Sequence, residues 1–391
     1  ADEPLDFDPG TAWNYSNSGY ILLGMIIEKV SGKKYADYLS ENIFKPLGMH
    51  NSYYGDNSMI IKNRVSGYQQ ANDGFKNADY LSMTLPYSAG SIMSTVEDLS
   101  IWNTAVQENK LVNKTSLAAA FTDHKTLDGN LTNYGYGWQF MNIRGSSTIE
   151  HGGGINGFVT QAIYLPAENI FVAVFMNKEG PEANNVATKL AALAAGKPYI
   201  YKSIKLSEET IKEYVGVYEN ENGEQRIINI EDGQLVSNRS GGNKYNLMAF
   251  DFDKFYFVGS LSEITFKRND KKEIIGHDFT GRQSPDGYWK KTDKEVPAPK
   301  KEITVDEKIL KTYNGTYQLA PGFDLVITTE ANKIFAQGTG QDKLELFAET
   351  ETRFFLKVLD AQVEFNKDST NTITALTLFQ GGQVMEALKT K

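Results

Sequence analysis

The 391-residue chain has no cysteine, which excludes thiol nucleophiles, thiolate metal sites and disulfide staples together and leaves the redox compartment undecided. Histidine is scarce. His50, His124, His151 and His277 lie far apart and make no His-x-x-x-His pair, so neither a metal nor another cofactor is expected. The longest apolar stretch, Ile21 to Val30, is interrupted by Gly24, Glu28 and Lys29 and falls short of the roughly 20 residues that a membrane-spanning helix needs. Positive charge is in deficit, with 40 Lys and Arg against 49 Asp and Glu and a net charge of -9; the basic field that would attract nucleic acid is missing. No Gly-x-Gly-x-x-Gly run leads from a strand into a helix, since Gly152 to Gly157 sits between two strands. A Gly-Lys-Ser/Thr phosphate loop and a Gly-x-Ser-x-Gly elbow are absent as well. There is no initiator methionine either: Ala1 opens directly onto a loop-like run, which reads as a processed product or a piece of a longer polypeptide.

What is present suffices for real cores. Hydrophobic residues make up 40% and aromatics 12%, and the length exceeds the roughly 250 to 300 residues at which a single core stops growing. Asn17 or Ser18 can cap a helix in which Leu22, Leu23, Met25, Ile26, Ile27 and Val30 recur at three- and four-residue spacings until Gly32. A second helix, Tyr35 to Ile43, is expected to end before Pro46. Ser94-Thr95-Val96-Glu97 has capping-box spacing ahead of a helix with Val96, Leu99, Trp102 and Val106 on one face. Farther on, Tyr136 to Ile143, Phe158 to Leu165 and Ile170 to Met176 read as strands, the last two joined by a turn at Pro166 to Asn169. Asn185 to Ala195 reads as a helix ending at Gly196.

After residue 200 the helical signal nearly vanishes, and short aromatic or β-branched runs alternate with turn residues. This half repeats itself. Tyr214-Val-Gly216-Val-Tyr218 recurs 99 residues later as Tyr313-Asn-Gly315-Thr-Tyr317, and the same offset carries Leu235 to Ile334, Leu247 to Leu346, Phe255 to Phe354, Ile264 and Phe266 to Val363 and Phe365, and Ile274 to Ile373. A single offset kept through six segments marks a duplication. The expected domains are therefore residues 1–200, 207–292 and 307–391, with Asp293 to Glu302, including Pro297 and Pro299, as a stiff, solvated linker between the two copies.

Two short runs combine reactive side chains with an open backbone: Asn14-Tyr15-Ser16-Asn17 before a helix, and His151-Gly152-Gly153-Gly154 before a strand. Alternation across Tyr-x-Asn puts the Tyr15 phenol and the Asn17 amide on one side. The same residues also have plain structural readings: Tyr15 as an aromatic packed under the helix, His151 as the turn into a Gly-rich bend, and Tyr136, Trp138 and Phe158 as core. His50, His124 and His277 read as structural or surface.

Context decides between these readings. Phe7-Asp-Pro9-Gly10-Thr-Ala-Trp13-Asn-Tyr15-Ser16-Asn17, Phe44-Lys-Pro46-Leu47-Gly48-Met49, Ala89-Gly90-Ser91 through Leu99, Tyr136-Gly137-Trp138 and His151-Gly-Gly-Gly154-Ile-Asn-Gly157-Phe158 together resemble the serine β-lactamase-like hydrolases, the group of class C β-lactamases, D-aminopeptidases, penicillin-binding proteins and related esterases. The resemblance covers about residues 4 to 195. It implies an α+β fold, a helical region with an antiparallel sheet that is incomplete at its N-terminus, followed by two small antiparallel β-barrels like the lipocalin-like domains of some D-aminopeptidase relatives. It also implies roles. Tyr15 would deprotonate a serine and pass the proton to the leaving group, which a phenol does only when an adjacent ammonium lowers its pKa. Asn17 would bond the acyl-side amide, His151 would anchor the substrate's carboxylate or leaving-group side, and the Gly154 N–H would form half of an oxyanion hole. Gly153, Asn156, Tyr136 and Trp138 would line the substrate cleft.

The family's Ser-x-x-Lys is missing upstream of Tyr15. The one such spacing, Ser31-Gly-Lys-Lys34, straddles a helix stop, where a catalytic pair should open a buried helix. The chain is thus expected to be a serine hydrolase of D-amino-acid peptides, amides, esters or β-lactams, catalytically incomplete as it stands. The alternative is a non-enzymatic protein whose barrels bind a ligand or a cell-wall fragment. Expected partners are a small-molecule or peptide substrate and either the missing N-terminal segment or another chain at an open sheet edge, and the expected location is periplasmic or secreted in a bacterium.

Overall fold

Ser16 starts the helical region. Its backbone is extended (φ -138°, ψ 107°) and its hydroxyl accepts the Gly19 N–H, so the cap lies just ahead of the Asn17 or Ser18 expected from the sequence. Only a residue outside the first turn can bend its oxygen back onto that turn's free N–H groups. The helix α1, Asn17–Ser31, ends at Gly32 in the left-handed region (φ 68°). The second helix, expected to stop before Pro46, instead runs through it. Here α2, Tyr35–Leu39, widens into a π-helical segment, Ser40–Phe44, and tightens again into α3, Lys45–Leu47. The Lys45 N–H reaches the Ser40 carbonyl across the wide turn, which makes room for the ring that a regular helix would exclude.

The computed structural model describes residues 4–390 apart from 57, 72–73, 241, 283–286, 299, 321 and 381–382. The loops after α3 carry β1 (Tyr53–Tyr54), the hairpin of β2 (Tyr68–Ala71) and β3 (Gly74–Asn77), the turn α4 (Tyr87–Gly90), and β4 (Ile92–Met93) paired with β1. At α5, Val96–Gln107, Thr95 rather than Ser94 is the cap, because the Thr95 hydroxyl is the one that reaches an orphan donor, the Asp98 N–H at 3.3 Å. The Asp98 carboxylate turns away to take the Asn51 N–H (2.7 Å) and the Ser52 hydroxyl (2.8 Å). A short α6, Lys114–Ala120, follows.

The strands β5 (Gln139–Ile143), β6 (Ser146–Ile155), β7 (Phe158–Leu165) and β8 (Ile170–Met176) form one antiparallel sheet in that order. Tyr136 lies outside the strand expected to contain it. His151 to Gly154, expected to precede a strand, are inside β6: the β5 ladder stops at Gln139 opposite Glu150, and from His151 to Ile155 the strand is paired with β7 alone, whose ladder holds extended even a run of glycines with no strand propensity of its own. The helix α7, Glu182–Ala194, begins three residues before the expected Asn185 and lays Ala187 and Ala191 against Ile143, Ile163 and Leu165 on one face of the sheet.

Residues 1–200 and 201–391 are separate compact units. The second unit opens with a short α8, Glu208–Glu213, and the first barrel is built from β9 (Gly216–Glu219), β10 (Gln225–Glu231), β11 (Gln234–Arg239), β12 (Lys244–Asp251), β13 (Lys254–Phe257), β14 (Glu263–Arg268), β15 (Ile274–Thr280) and β16 (Gly287–Lys291); pairing of Lys290 with Glu219 closes it. A second helix, α9 (Glu307–Thr312), leads into the other eight-stranded barrel, Gly315–Ala320 to Gln383–Lys389, closed by Tyr317 with Lys389. Six residues are too few for a periodic signal, which is why neither helix was legible. The tyrosine, phenylalanine and aliphatic residues that repeat at the offset of 99 are buried inside the barrels. Tyr218 donates its hydroxyl to the Tyr214 carbonyl and Tyr317 to the Tyr313 carbonyl, each at 2.7 Å. Loops of the two barrels touch through a bridge between Asn243 and Leu359 and a bond from the Lys244 N–H to the Val358 carbonyl. Glu302, the last residue of the expected linker, pairs with Lys357 of the second barrel at 2.7 Å, while Pro299 lies outside the described residues. Among the described residues no helix is long and apolar enough to cross a membrane.

Candidate active site

Alternation along β6 divides its side chains between the two faces of the sheet. Glu150 turns to the α7 side, fully buried, where it accepts the Thr148 hydroxyl (2.7 Å) and the Gln161 amide (3.1 Å). His151 therefore turns to the opposite face, and there it meets Tyr134: the phenol oxygen is 2.8 Å from Nε2. Its Nδ1 is 2.6 Å from the Gly152 carbonyl. A carbonyl can only accept, so Nδ1 carries the hydrogen and Nε2 of the neutral ring accepts the Tyr134 proton.

Tyr15, just ahead of the α1 cap, brings its ring within 6.1 Å of both His151 and Tyr134 and stays 44% exposed. Trp13 packs on the far side of Tyr134 at 5.2 Å. Burial, reinforced by the neighbouring Tyr20 and Tyr15 phenols, holds the Tyr134 phenol well above its ordinary pKa, so it remains a proton donor to His151. Tyr20, one turn into α1, is also raised chiefly by burial. It lies against Gly137, where an added Cβ would stand 3.2 Å from its hydroxyl.

Beyond His151 the wall is bare backbone. Gly153 and Gly154 are exposed, and a Cβ on Gly154 would meet nothing nearer than 4.0 Å, so a ligand can approach the peptide groups directly. Gly157 is constrained instead: its φ is 79°, a Cβ would stand 2.6 Å from the Gly67 Cα, and its N–H donates to Glu179 at 2.8 Å. That contact anchors the tip of the β6–β7 hairpin.

The structure thus gathers Tyr15, His151 and the exposed glycines around the N-terminus of α1, where Asn17 is the first helical residue and exposed. The other expected residues make their contacts elsewhere. Asn156 donates to the Asp79 carbonyl at 3.2 Å, Tyr136 stacks on His124 at 5.2 Å, and Trp138 stacks on Trp102 at 5.5 Å with Phe121 edge-on. Ser31 spends its hydroxyl on the Ile27 carbonyl (2.6 Å), and Lys34 caps α2, so this Ser-x-x-Lys spacing ends one helix and starts the next. Sequence reasoning missed Tyr134. The signal was the alternation Tyr134-Gly135-Tyr136-Gly137-Trp138, of which only the second half was used. Chemically the cluster offers a phenol open to solvent, an imidazole of fixed tautomer, and an exposed glycine backbone. Among the described residues no group of three or more His, Asp or Glu could hold a metal ion.

Comparison with known proteins identifies the relatives of the chain. Residues 1–197 match the Beta-lactamase family model, and residues 299–388 match a domain of unknown function, DUF3471. Penicillin-binding protein 4* of Bacillus subtilis (strain 168) is 26% identical over 399 residues, covering 98% of this chain and 68% of that protein. The D-aminopeptidase of Brucella ovis is 29% identical over 198 residues, 49% of this chain and 36% of its own length; the chain spans little more than a third of such a relative. Among solved structures, the penicillin binding protein from Bacillus halodurans aligns at 28% identity with a TM-score of 0.42, over 49% of this chain and 59% of that one.

Proposed function

The chain belongs to the Beta-lactamase family, and from that premise we propose that it forms the greater part of a serine hydrolase that cleaves D-amino-acid peptides, amides, esters or β-lactams through an acyl-serine intermediate. The observation that carries the reading is the Tyr134–His151–Tyr15 cluster, 2.8 Å and 6.1 Å between its members, set against a wall of exposed glycine backbone. In this reading Tyr15 takes the proton of the attacking serine and returns it to the leaving nitrogen or oxygen. Asn17 holds the acyl-side amide. His151, its Nε2 engaged by Tyr134, anchors the leaving-group side through the edge of its ring, and the Gly154 N–H stabilises the oxyanion together with the serine's own N–H. The D-amino-acid preference is proposed from the D-aminopeptidase relatives. The nucleophile belongs to a Ser-x-x-Lys outside these 391 residues, so the chain by itself is catalytically incomplete. The test is fluorophosphonate labelling of the 391-residue chain and of a longer polypeptide carrying the preceding coding sequence. Labelling is expected in the longer form only, at a serine upstream of Tyr15; stoichiometric labelling of Ser16 or Ser31 would overturn the assignment.

A further inference from the structure

The two barrels share a register but not an interior. Arg226, on β10, pairs with Arg239 and Tyr218, and its counterpart in the second barrel, Leu325, pairs with Gly338 and Tyr317. Ser237 corresponds in the same way to Ala336, opposite Ile228 and Ile327 respectively. His277 pairs with Phe266 and Trp289, where Leu376 pairs with Phe365 and Ala387. At four matched inward positions the first barrel therefore carries Arg, Ser, His and Trp, and the second carries Leu, Ala, Leu and Ala.

The polar set is buried and under-satisfied. Arg226 is 5% exposed and His277 is fully buried. The Arg226 guanidinium donates to the Ser237 hydroxyl at 3.0 Å, but its Nε meets no partner among the described residues, and neither does either nitrogen of His277. The guanidinium lies over three aromatic rings, 4.7 Å from Trp289, 4.8 Å from Phe279 and 5.3 Å from Phe257, and His277 stacks on the same Trp289. No ion pair to Arg226 forms among the described residues; after burial, Arg239 acts on its charge by repulsion and Glu224 by a weaker attraction. A buried charge without a counter-ion is expensive, and the second barrel shows that this architecture closes over aliphatic side chains at the same positions. The fold does not require the polar set.

We propose that the first barrel is a binding site for a small monocarboxylate carrying an apolar or aromatic group, with Arg226 as its counter-ion. The guanidinium fork matches a carboxylate in two parallel hydrogen bonds. His277 is held neutral by burial and by the charge of Arg226, so it contributes an N–H donor and no second charge. Arg226 supplies the buried positive charge, and Arg239, its cross-strand partner, stands exposed at the same end of the barrel. The rings of Trp289, Phe279 and Phe257 supply the apolar wall. Arg226 is the second residue of β10, at the barrel end that carries the β9–β10 and β13–β14 connections, and the carboxylate enters from that end.

The inference is independent of the acyl-serine reading and is tested without catalysis. The 391-residue chain is titrated calorimetrically with sodium benzoate, and with inorganic phosphate as the competing chemistry. One saturable benzoate site is expected, and no phosphate site. Arg226→Leu, which copies the sister barrel, should abolish the benzoate isotherm while melting no lower than the parent. Ser237→Ala, which frees the guanidinium from its one hydrogen bond, should weaken benzoate about fivefold and serves as the test if Arg226→Leu does not fold. Absence of benzoate binding to the parent, saturable phosphate binding instead, or an unchanged dissociation constant in the folded variant would overturn the proposal.

Discussion

Tyr134 donates its phenol proton to His151 Nε2 at 2.8 Å while the Nδ1 hydrogen of the same ring is committed to the Gly152 carbonyl at 2.6 Å. The imidazole is thereby fixed in tautomer and orientation before any ligand arrives. Tyr134→Phe leaves the ring packing intact and removes one bond, so it should destabilise residues 1–200 by about 1 kcal/mol. Combined with His151→Ala in a double-mutant cycle on the 391-residue chain, the two changes should be clearly non-additive in urea unfolding. Strict additivity would mean that the contact contributes nothing.

In a polypeptide extended upstream to include a Ser-x-x-Lys, Tyr15→Phe should lower the acylation rate by about 10² to 10⁴, the usual worth of a positioned acid–base group. His151→Ala should raise KM and lower kcat more modestly. Pre-steady-state acylation kinetics decide between the proposed roles, and a pure KM effect in both variants would reduce the two residues to substrate binders.

His277 gives the first barrel an acid limit. Burial, with help from the Arg226 charge, depresses its pKa to about 3 in the folded chain, whereas an unfolded histidine titrates near 6.5. Above that value neither state is protonated and the full stability is present. As the pH falls from about 6.5 toward 3 the unfolded state alone takes up the proton, so stability declines by up to about 1.4 kcal/mol per pH unit. His277→Leu should flatten this slope in denaturant midpoints measured between pH 7 and 4. An unchanged slope would show that other groups set the acid limb.

The two halves of the chain should differ as isolated fragments. In residues 1–200, α1 leaves Leu22, Met25, Ile26 and Val30 more than half exposed, and β8 pairs within the sheet on one side only. We expect this fragment to aggregate, or to be rescued by an upstream segment added in trans. Residues 201–391 contain closed sheets with their own cores and should melt cooperatively as monomers. Sedimentation of the two fragments checks both expectations, and a monomeric, sharply melting 1–200 fragment would remove the reason to look for an upstream segment.

How much was legible in the sequence follows from where each signal came from. Phe158 to Leu165 and Ile170 to Met176 were readable because an apolar run bounded by Pro166 and Asn169 has few alternatives, and the structure reproduces both strands residue for residue. The strand Ser146–Ile155 was not, because Glu150, His151 and three glycines carry no strand propensity; pairing with Phe158–Leu165, which runs on past the end of the β5 ladder, makes it one. Pro46 misled for a similar reason, since the local rule against helical proline holds until a π turn relaxes it. That the second half holds two β domains was legible through repetition, and their closure into barrels through family resemblance. Tyr15 and His151 stood out by their flanks, whereas Tyr134 is joined to His151 only by the tertiary fold, and Arg226 sits in a strand whose pattern looks ordinary until its sister copy is laid beside it.

Closure of the two barrels limits how the chain can grow. A solenoid stacks repeats by presenting each new unit with an open surface identical to the last, and can lengthen indefinitely. Here every backbone ladder returns on itself, Lys290 to Glu219 and Lys389 to Tyr317, and the copies touch through loops such as those of Asn243 and Leu359. Duplication in this architecture yields counted modules rather than a filament. Each copy is therefore free to diverge inside without disturbing its neighbour's hydrogen bonds.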